Sequence, residues 1–420
     1  MESENLYKKI NSLTDRESLD LSVENAAPIW HAERNKDWVP FLDNDKSQYP
    51  EMLIELANNS PIHGAIIQAK IDQTAGGGVT WNATDPNNAK MIEFVKSVND
   101  SEQDLNEVMT MNITDYVLFN SFAILVTWKS DWSEPGSFIH VDLSKLRAAP
   151  VGADGVMPGY WYSWDWGKQR SERVFIPCFN TKGAKVNKAA YESALKKGNS
   201  EELQRIFLQP TSQILVFKGY WPNSFYYSYP DYVQGIIAAK TDIQSDNYGL
   251  ASFENGLNTN IMVTMFGLTT PEQKKTEAGK FMRTYTGSTK ANKPIITYAD
   301  KAENAMKVDM IGQKGEDKVY TKVNENVMQK ILTAHRVTSP ELVGIKLQGS
   351  SLFGSGDQFK SAVDFWQESV IKPKQMAITK TYNKLLNLMG LPNVSIIPFS
   401  YFDEEETNQT TTTDNTNDFK

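Results

Sequence analysis

The sequence predicts an α+β protein, and three patterns in its 420 residues carry that expectation. Apolar residues recur every three or four positions in several long stretches, the spacing of amphipathic helices. Short β-branched and aromatic runs, Ala123 to Trp128 and Gln213 to Phe217 among them, read as strands. A hydrophobic fraction of 40% and a charged fraction of 22% are those of a folded chain rather than a disordered one.

Residues 1–20 form a polar lead-in, and Trp30, Trp38 and Tyr49 are taken as the large anchors before Pro50, so this region is expected to pack late or on a neighbour. In PEMLIELANNSPIHGAIIQAKIDQTA, apolar residues at Met52, Leu53 and Leu56 and then at Ile62, Ile66, Ile67 and Ile71 mark two short helices. Asn59-Ser60-Pro61 makes the corner between them, because the residue before a proline avoids helical geometry. Gly76-Gly77-Gly78 reads as a hinge, followed by a strand Val79 to Trp81 and a helix around Met91 to Val95. DYVLFNSFAILVTWKSD passes from helix to strand, and VDLSKLRAAP and RVFIPCFN add strands. A lysine-rich helix, Ala184 to Phe207, then leads into the strand at Gln213.

Pro230 suits a first helical turn, and Val233, Ile236, Ile237 and Ile243 continue a face until Asn255-Gly256. Such a helix of roughly 25 residues would be about 38 Å long. An insertion follows, with a helix opened by the capping box Thr270-Pro271-Glu272-Gln273 and strands at Ile295 to Tyr298 and Met306 to Ile311. A second long helix carries Tyr320, Val323, Val327, Ile331 and Leu332 and stops at Pro340. The pattern is a two-helix stalk with a small domain at its tip. A further helix, about Gly356 to Met389, should kink at Pro373. One strand, Val394 to Pro398, precedes the tail DEEETNQTTTTDNTNDFK, too poor in apolar residues to fold alone.

Several function classes fall away. The single cysteine, Cys178, excludes an internal disulfide and a thiolate metal cluster. The N-terminus lacks the apolar stretch of a secretory leader, and no run of about 18 apolar residues occurs. A net charge of −8 argues against a monomer gripping nucleic acid through a broad basic face. Gly349-Ser-Ser-Leu-Phe-Gly354 has the spacing of a phosphate-binding loop, yet Ser355-Gly356 stand where that chemistry needs Lys and then Ser or Thr. His31, His63, His140 and His335 are far apart with no pair at a helical metal spacing, and structural roles are expected for them. The aromatic run Tyr160 to Arg170, with Tyr226, Tyr227 and Tyr229, is expected in packing rather than in stacking on ligands. No nucleophile and base pattern stands out, so no catalytic residue, cofactor or metal is expected.

Three stretches in succession are similar to the portal proteins of tailed bacteriophages. They are YYSYPDYVQGIIAAK to SFENG, an insertion, and HRVTSPELVGI followed by a Gly/Ser loop and a helix carrying KP, with Val337, Pro340 and Gly344 in the family's Val-x-x-Pro-x-x-x-Gly element. The resemblance covers roughly residues 50–398. It implies a portal fold: an α/β wing over 21–229, stem helices at 230–256 and 318–340, and a small α/β clip insertion over 257–317. A tunnel loop at 341–356, a kinked tunnel helix at 357–390 and a strand at 391–402 would follow, with 403–420 as an acidic tail and the larger family members' helical crown short or missing. It implies a ring of about twelve subunits at one capsid vertex, assembled in the host cytoplasm and carried in the virion. Double-stranded DNA would pass through non-specifically, with the terminase large subunit, the major capsid protein, scaffold and a head-completion adaptor as partners, and no membrane.

On that reading the glycines and serines of 349–356 make a flexible lumen loop with Leu352 and Phe353 as its apolar tip. Lys346, Gln348, Ser351 and Lys360 would join them along the DNA channel, Lys346 and Lys360 either as exchangeable phosphate contacts or as solvated lysines. Lys274 and Lys275 would contact partners at the clip, and Ile236 and Ile331 would pack subunits in the stem, much of whose apolar surface is expected to be buried only in the ring. The aromatic content leaves a carbohydrate-binding protein or glycoside hydrolase as the alternative, which would need paired carboxylates in a cleft.

Overall fold

A computed structural model describes residues 37–41, 48–152, 155–166, 172–222, 224–254, 262–267, 270–285, 295–299, 301, 316–345 and 356–399. In chain order it has α1 (Tyr49–Asn59), α2 (Pro61–Ala75), β1 (Val79–Trp81), α3 (Asn88–Lys96), α4 (Leu105–Phe119), β2 (Ser121–Trp128) and β3 (Pro135–His140). Then come β4 (Leu146–Ala148), β5 (Gly159–Tyr162), β6 (Val174–Pro177), α5 (Thr181–Lys197), α6 (Ser200–Phe207) and β7 (Ser212–Lys218). The chain continues through α7 (Ile236–Glu254), β8 (Met262–Phe266), α8 (Pro271–Tyr285), β9 (Ile295–Ala299) and α9 (Glu316–Ala334). It closes with α10 (Gly356–Trp366), a π-helical turn (Gln367–Ile371), α11 (Lys372–Leu388) and β10 (Val394–Ile396). No described helix is long and apolar enough to cross a membrane.

The chain divides into two compact units. Among the described residues, one holds 48–67, 229–345 and 356–359, and the other holds 37–41, 68–228 and 360–399. The second unit is built on an antiparallel sheet in the order β3-β2-β7, packed by α4. A capping box fixes the start of α4, with Asp104 and Glu107 each accepting the other's backbone N–H, and left-handed Asn120 ends it one residue before β2. Phe119, Phe122, Phe138 and Tyr382 lie in its core, where Asn112 donates to the Tyr382 hydroxyl at 2.7 Å. A second antiparallel sheet, β4-β5-β6, buries Tyr160, while the rings of Trp38 and Trp166 meet at a 56° tilt, 4.8 Å between centres. Arg147, fully buried, lies over both Phe41 and Trp166.

Several expectations need correction. The triple glycine is not a hinge: a Cβ on Gly76 would lie 2.1 Å from the Ile397 carbonyl oxygen, and the Gly77 N–H donates to that same oxygen at 3.0 Å. Glycine is required there because β10 pairs antiparallel with β1 immediately beyond, bringing two backbones together. The lysine-rich helix is two helices, because Gly198 turns left-handed and Asn199 caps α6. At Pro373, where the kink is expected and which needs no such correction, the helix accommodates the missing donor with a π turn just before it, the Lys372 N–H reaching Gln367 O across five residues. The wider turn relieves the clash that a proline ring makes with the carbonyl four residues back. Trp38 and Tyr49 do not wait for a neighbour, since both are buried within the chain.

The other unit contains the corner of α1 and the start of α2, the helices α7 and α9, and β8-α8-β9 between them in sequence. The helix expected from Pro230 begins only at Ile236, after a 3-10 turn at Val233–Gly235, and runs 19 residues. That turn places Tyr232 and Val233 inward, both buried. Helices α7 and α9 pack antiparallel: Gly235 faces Ala334, and ten residues further Ser245 donates to Asn324 at 2.5 Å. The side-chain Cβ missing from Gly235 would stand 2.7 Å from Ala334, which is how closely the helices approach. In the insertion the capping box of α8 forms as expected, between Thr270 and Gln273. Strand β9 pairs in parallel with β8, a strand sequence reasoning missed, and the strand expected at Met306 to Ile311 lies outside the described residues.

Candidate functional site

The residues named for function fall on different parts of the molecule. Lys346, Gln348, Ser351, Leu352 and Phe353 lie outside the described residues, while Lys360 is exposed on the first turns of α10. Lys275 is exposed on α8. Lys274 is half-buried, its ammonium 5.3 Å from the centre of the Tyr298 ring and its carbonyl accepting from the Tyr298 hydroxyl at 3.1 Å, so α8 is fastened to β9 through it.

Ile236 and Ile331 are 1% and 0% exposed in the single chain. This corrects the expectation that such residues are covered only in a ring: the protomer itself covers them. The stripe of α9 holds at Val327, Ile331 and Leu332, all buried, but Val323 is exposed. On α7, Ile237 and Tyr248 are also exposed. They are eleven residues apart, about three turns, and so share one side of the helix.

The HRVTSPELVGI element is a compact turn with a physical reason for each of its marked residues. The Val337 N–H returns to Leu332 O at 2.9 Å, closing α9 through left-handed Arg336. Pro340 opens a 3-10 turn, Pro340–Val343, whose Leu342 and Val343 are buried. Gly344 has φ +74°, and the Ile345 N–H beyond it closes on Pro340 O at 3.0 Å. The turn fixes the course of the chain as far as Ile345. Arg336 reaches Asp231 at 3.7 Å, a half-exposed pair of little energetic weight.

What sequence reasoning missed lies beside this turn. His63 on α2 and His335 after α9 meet with Nδ1 and Nε2 2.8 Å apart, both rings buried. Tyr232 stacks on His335 at 4.8 Å between ring centres and stands edge-on to His63 at 4.7 Å. Nearby, Ser60 donates to Asp242 of α7 at 2.6 Å and accepts from the His63 N–H at 3.2 Å. Burial raises the Asp242 carboxyl above the ordinary range, with the Ser60 hydrogen bond opposing that rise and Asp246 adding to it. The corner between α1 and α2 is thus tied to both helices of the pair. His140 is also engaged, at 2.9 Å from Asp115, whose carboxyl burial pushes up against the opposing His140 hydrogen bond. His31 lies outside the described residues, and no group of three His, Cys, Asp or Glu suited to a metal occurs among the described ones.

Of the aromatic cluster, Tyr160, Trp166, Tyr227 and Tyr229 are buried, and Trp164 is exposed. Tyr227 bridges Val39 O and the Ala148 N–H with its hydroxyl, a packing role. Three clefts of the second unit can be described. One lies at the triple glycine beside Asn106 and Met109, one along α11 beside Met376, Lys380 and Lys384, and one beneath Tyr226 and Lys218. None of the three is lined by a carboxylate.

No protein-family model matches the chain. The probable portal protein of Haemophilus phage HP1 (strain HP1c1) is 25% identical to it over 194 residues, 46% of this chain and 55% of that protein. The chain therefore matches about half the length of this curated relative. Among solved structures, a chain in the neck of an empty GTA particle computed with C6 symmetry shares 14% identity, with a TM-score of 0.50 over 94% of this chain and 91% of that one. That second likeness is one of fold alone, that of a mixed helix and sheet protein. The resemblance to phage portal proteins, drawn from three stretches of sequence, is borne out by the two likenesses together.

Proposed function

We propose that this chain is the subunit of a portal ring at one vertex of a phage capsid, the passage through which DNA enters and leaves. The observation that carries the reading is a succession in space as well as in sequence. Antiparallel helices α7 and α9 return the chain to its starting level around an interposed β-α-β element, and the buried turn ending at Gly344 follows directly. The sequence likeness to a probable portal protein supports the same conclusion. In this reading the helix pair is the stem, β8-α8-β9 belongs to the clip, the sheets built around β2 and β5 belong to the wing, and α10 to α11 form the tunnel helix. Residues 346–356 border the channel, with Leu352 and Phe353 as their apolar tip and Lys346, Gln348, Ser351 and Lys360 towards DNA. The exposed Ile237, Tyr248 and Val323 supply apolar surface for a neighbouring copy. About twelve copies close the ring through head-to-tail contacts. Terminase and then an adaptor dock on the clip, and the capsid protein surrounds the wing.

Negative-stain images of the purified protein test the central claim. Rings with a central hole are expected, and a uniform monomer at concentrations that assemble other ring proteins would overturn it. A packaging assay tests the loop: Gly354→Pro, or Leu352→Ser with Phe353→Ser, should leave rings intact but lower the yield of full particles. Normal yield in both variants would make the loop a plain connector. A glycoside hydrolase would need a carboxylate pair in a cleft, which none of the three clefts described provides.

A further inference from the structure

We infer that the His63–His335 contact is a proton-sensitive clamp, holding the end of α9 to the start of α2 when the two neutral rings have taken up at most one extra proton between them and releasing it when each has taken up its own. This inference does not rest on the portal reading; it follows from hydrogen-bond chemistry at a defined buried site. The ring nitrogens are 2.8 Å apart, so one must donate and the other accept. Neutral imidazole has one nitrogen of each kind, and imidazolium has two donors and no acceptor. With no proton added, or with one shared, the bond persists. With two it has no acceptor, and two like charges face each other where burial penalises even one.

The position makes such a bond consequential. His335 directly precedes left-handed Arg336, whose turn closes α9 and leads through Pro340 to Gly344. His63 lies in the first turn of α2, and its own N–H is held by Ser60 at the corner with α1. The two residues are 272 positions apart, so the contact fastens distant segments rather than neighbours. Tyr232 closes over both rings, and it is buried, so the contact is shielded from screening by salt.

Charged and titratable groups on the surrounding elements fall in two sets. Tyr49 on α1 and Asp231 before the 3-10 turn act on Tyr232, whose hydroxyl burial raises further from ionisation, and Arg336 is directed to Asp231 at 3.7 Å. On α7, Asp242 takes the Ser60 hydroxyl, and Lys240 is influenced by Glu55 of α1. The sign of the effect follows from the count of protons. The released state binds two protons where the clamped state binds at most one, so acid favours release. The clamp is therefore complete above the ordinary histidine range, near pH ~6.5, and is lost as the pH falls below it.

Hydrogen–deuterium exchange on the full chain, with rates corrected for the intrinsic pH dependence of amide exchange, reads the opening directly. Between pH 6.5 and 5.5 the opening constant for amides at 331–337 and 63–67 should rise about tenfold, the slope of one extra proton. Amides of β2 and β7 in the other unit should keep their protection. In His335→Gln the slope should become shallower while protection remains, because one titrating ring is gone and an amide can accept from or donate to His63 in either of its protonation states. His63→Gln makes the same test from the other side should the first variant not fold. An absent slope in the wild type, the same slope in the glutamine variants, or equal loss of protection in β2 and β7 would each overturn the clamp. None of these outcomes depends on whether the protein forms rings.

Discussion

Replacing Ile237 by aspartate separates folding from the proposed assembly, because neighbouring residues of one helix differ sharply in burial. Ile236 is 1% exposed and Ile331 0%, whereas Ile237 is 47% exposed and Val323 40%. Full burial of an isoleucine is worth about 1.5–3 kcal/mol, so covering the exposed half of Ile237 contributes about 1 kcal/mol at each contact between copies. An aspartate there forfeits that contribution and adds a desolvation cost if the neighbour covers it, for a loss of about 3 kcal/mol per interface. That is roughly a hundredfold in association at every joint of the ring. The isolated protomer loses almost nothing, because the charge stays in water. Ile331→Asp does the opposite. It places a carboxylate in a fully covered site, at a cost of several kcal/mol against a total stability of about 5–15 kcal/mol. Sedimentation velocity reads assembly, and thermal unfolding of the protomer at low concentration reads the fold. Ile237→Asp and Val323→Asp should give folded species of low order with nearly wild-type unfolding temperature, and Ile331→Asp a destabilised or insoluble chain. Wild-type rings from both surface variants would refute the assignment of this face to subunit contact, and an unchanged unfolding temperature for Ile331→Asp would refute the burial argument.

Other perturbations test separate parts of the account. Gly344→Ala should cost about 1–2 kcal/mol through the left-handed backbone alone, since nothing lies within 4 Å of its would-be Cβ; Gly76→Ala should cost more, because its Cβ meets the Ile397 carbonyl, and calorimetry should rank the two in that order. Burial raises the Asp115 carboxyl, so the folded state holds a proton there more tightly than the unfolded chain; its contribution to stability is greatest at low pH and is lost as pH rises through the raised value. The stability of the wild type relative to Asp115→Asn should accordingly grow as pH is lowered from 7 towards 5 in denaturant titrations, and an opposite slope would contradict the burial of this group. Lys275→Glu should weaken terminase binding at low salt and much less at high salt, as exposed charges do, while Lys274→Glu should also loosen α8 from Tyr298 and lower the unfolding temperature.

What could be read from the sequence was local, and what could not was set by distance along the chain. The corner at Asn59-Ser60-Pro61, the capping box at Thr270 and the strand at Ala123 to Trp128 depend on residues within a few positions of one another, and each forms where the pattern puts it. Gly198 was legible in principle: a glycine followed by asparagine ends one helix and caps the next, and only the lysine periodicity across it hid the break. The triple glycine was not, because its need for small residues arises from Ile397, more than 300 positions away in sequence. The same limit explains the histidines. Reading each one alone gives a buried structural residue, and nothing near His63 announces His335. Their pairing exists because α7 and α9 are antiparallel and close at Gly235 and Ala334, which returns the end of α9 to the level at which the chain entered α7, beside the α1–α2 corner held by Asp242. The arrangement that supports the functional reading, a helix pair returning the chain to its starting level, is thus also what brings two titratable rings together.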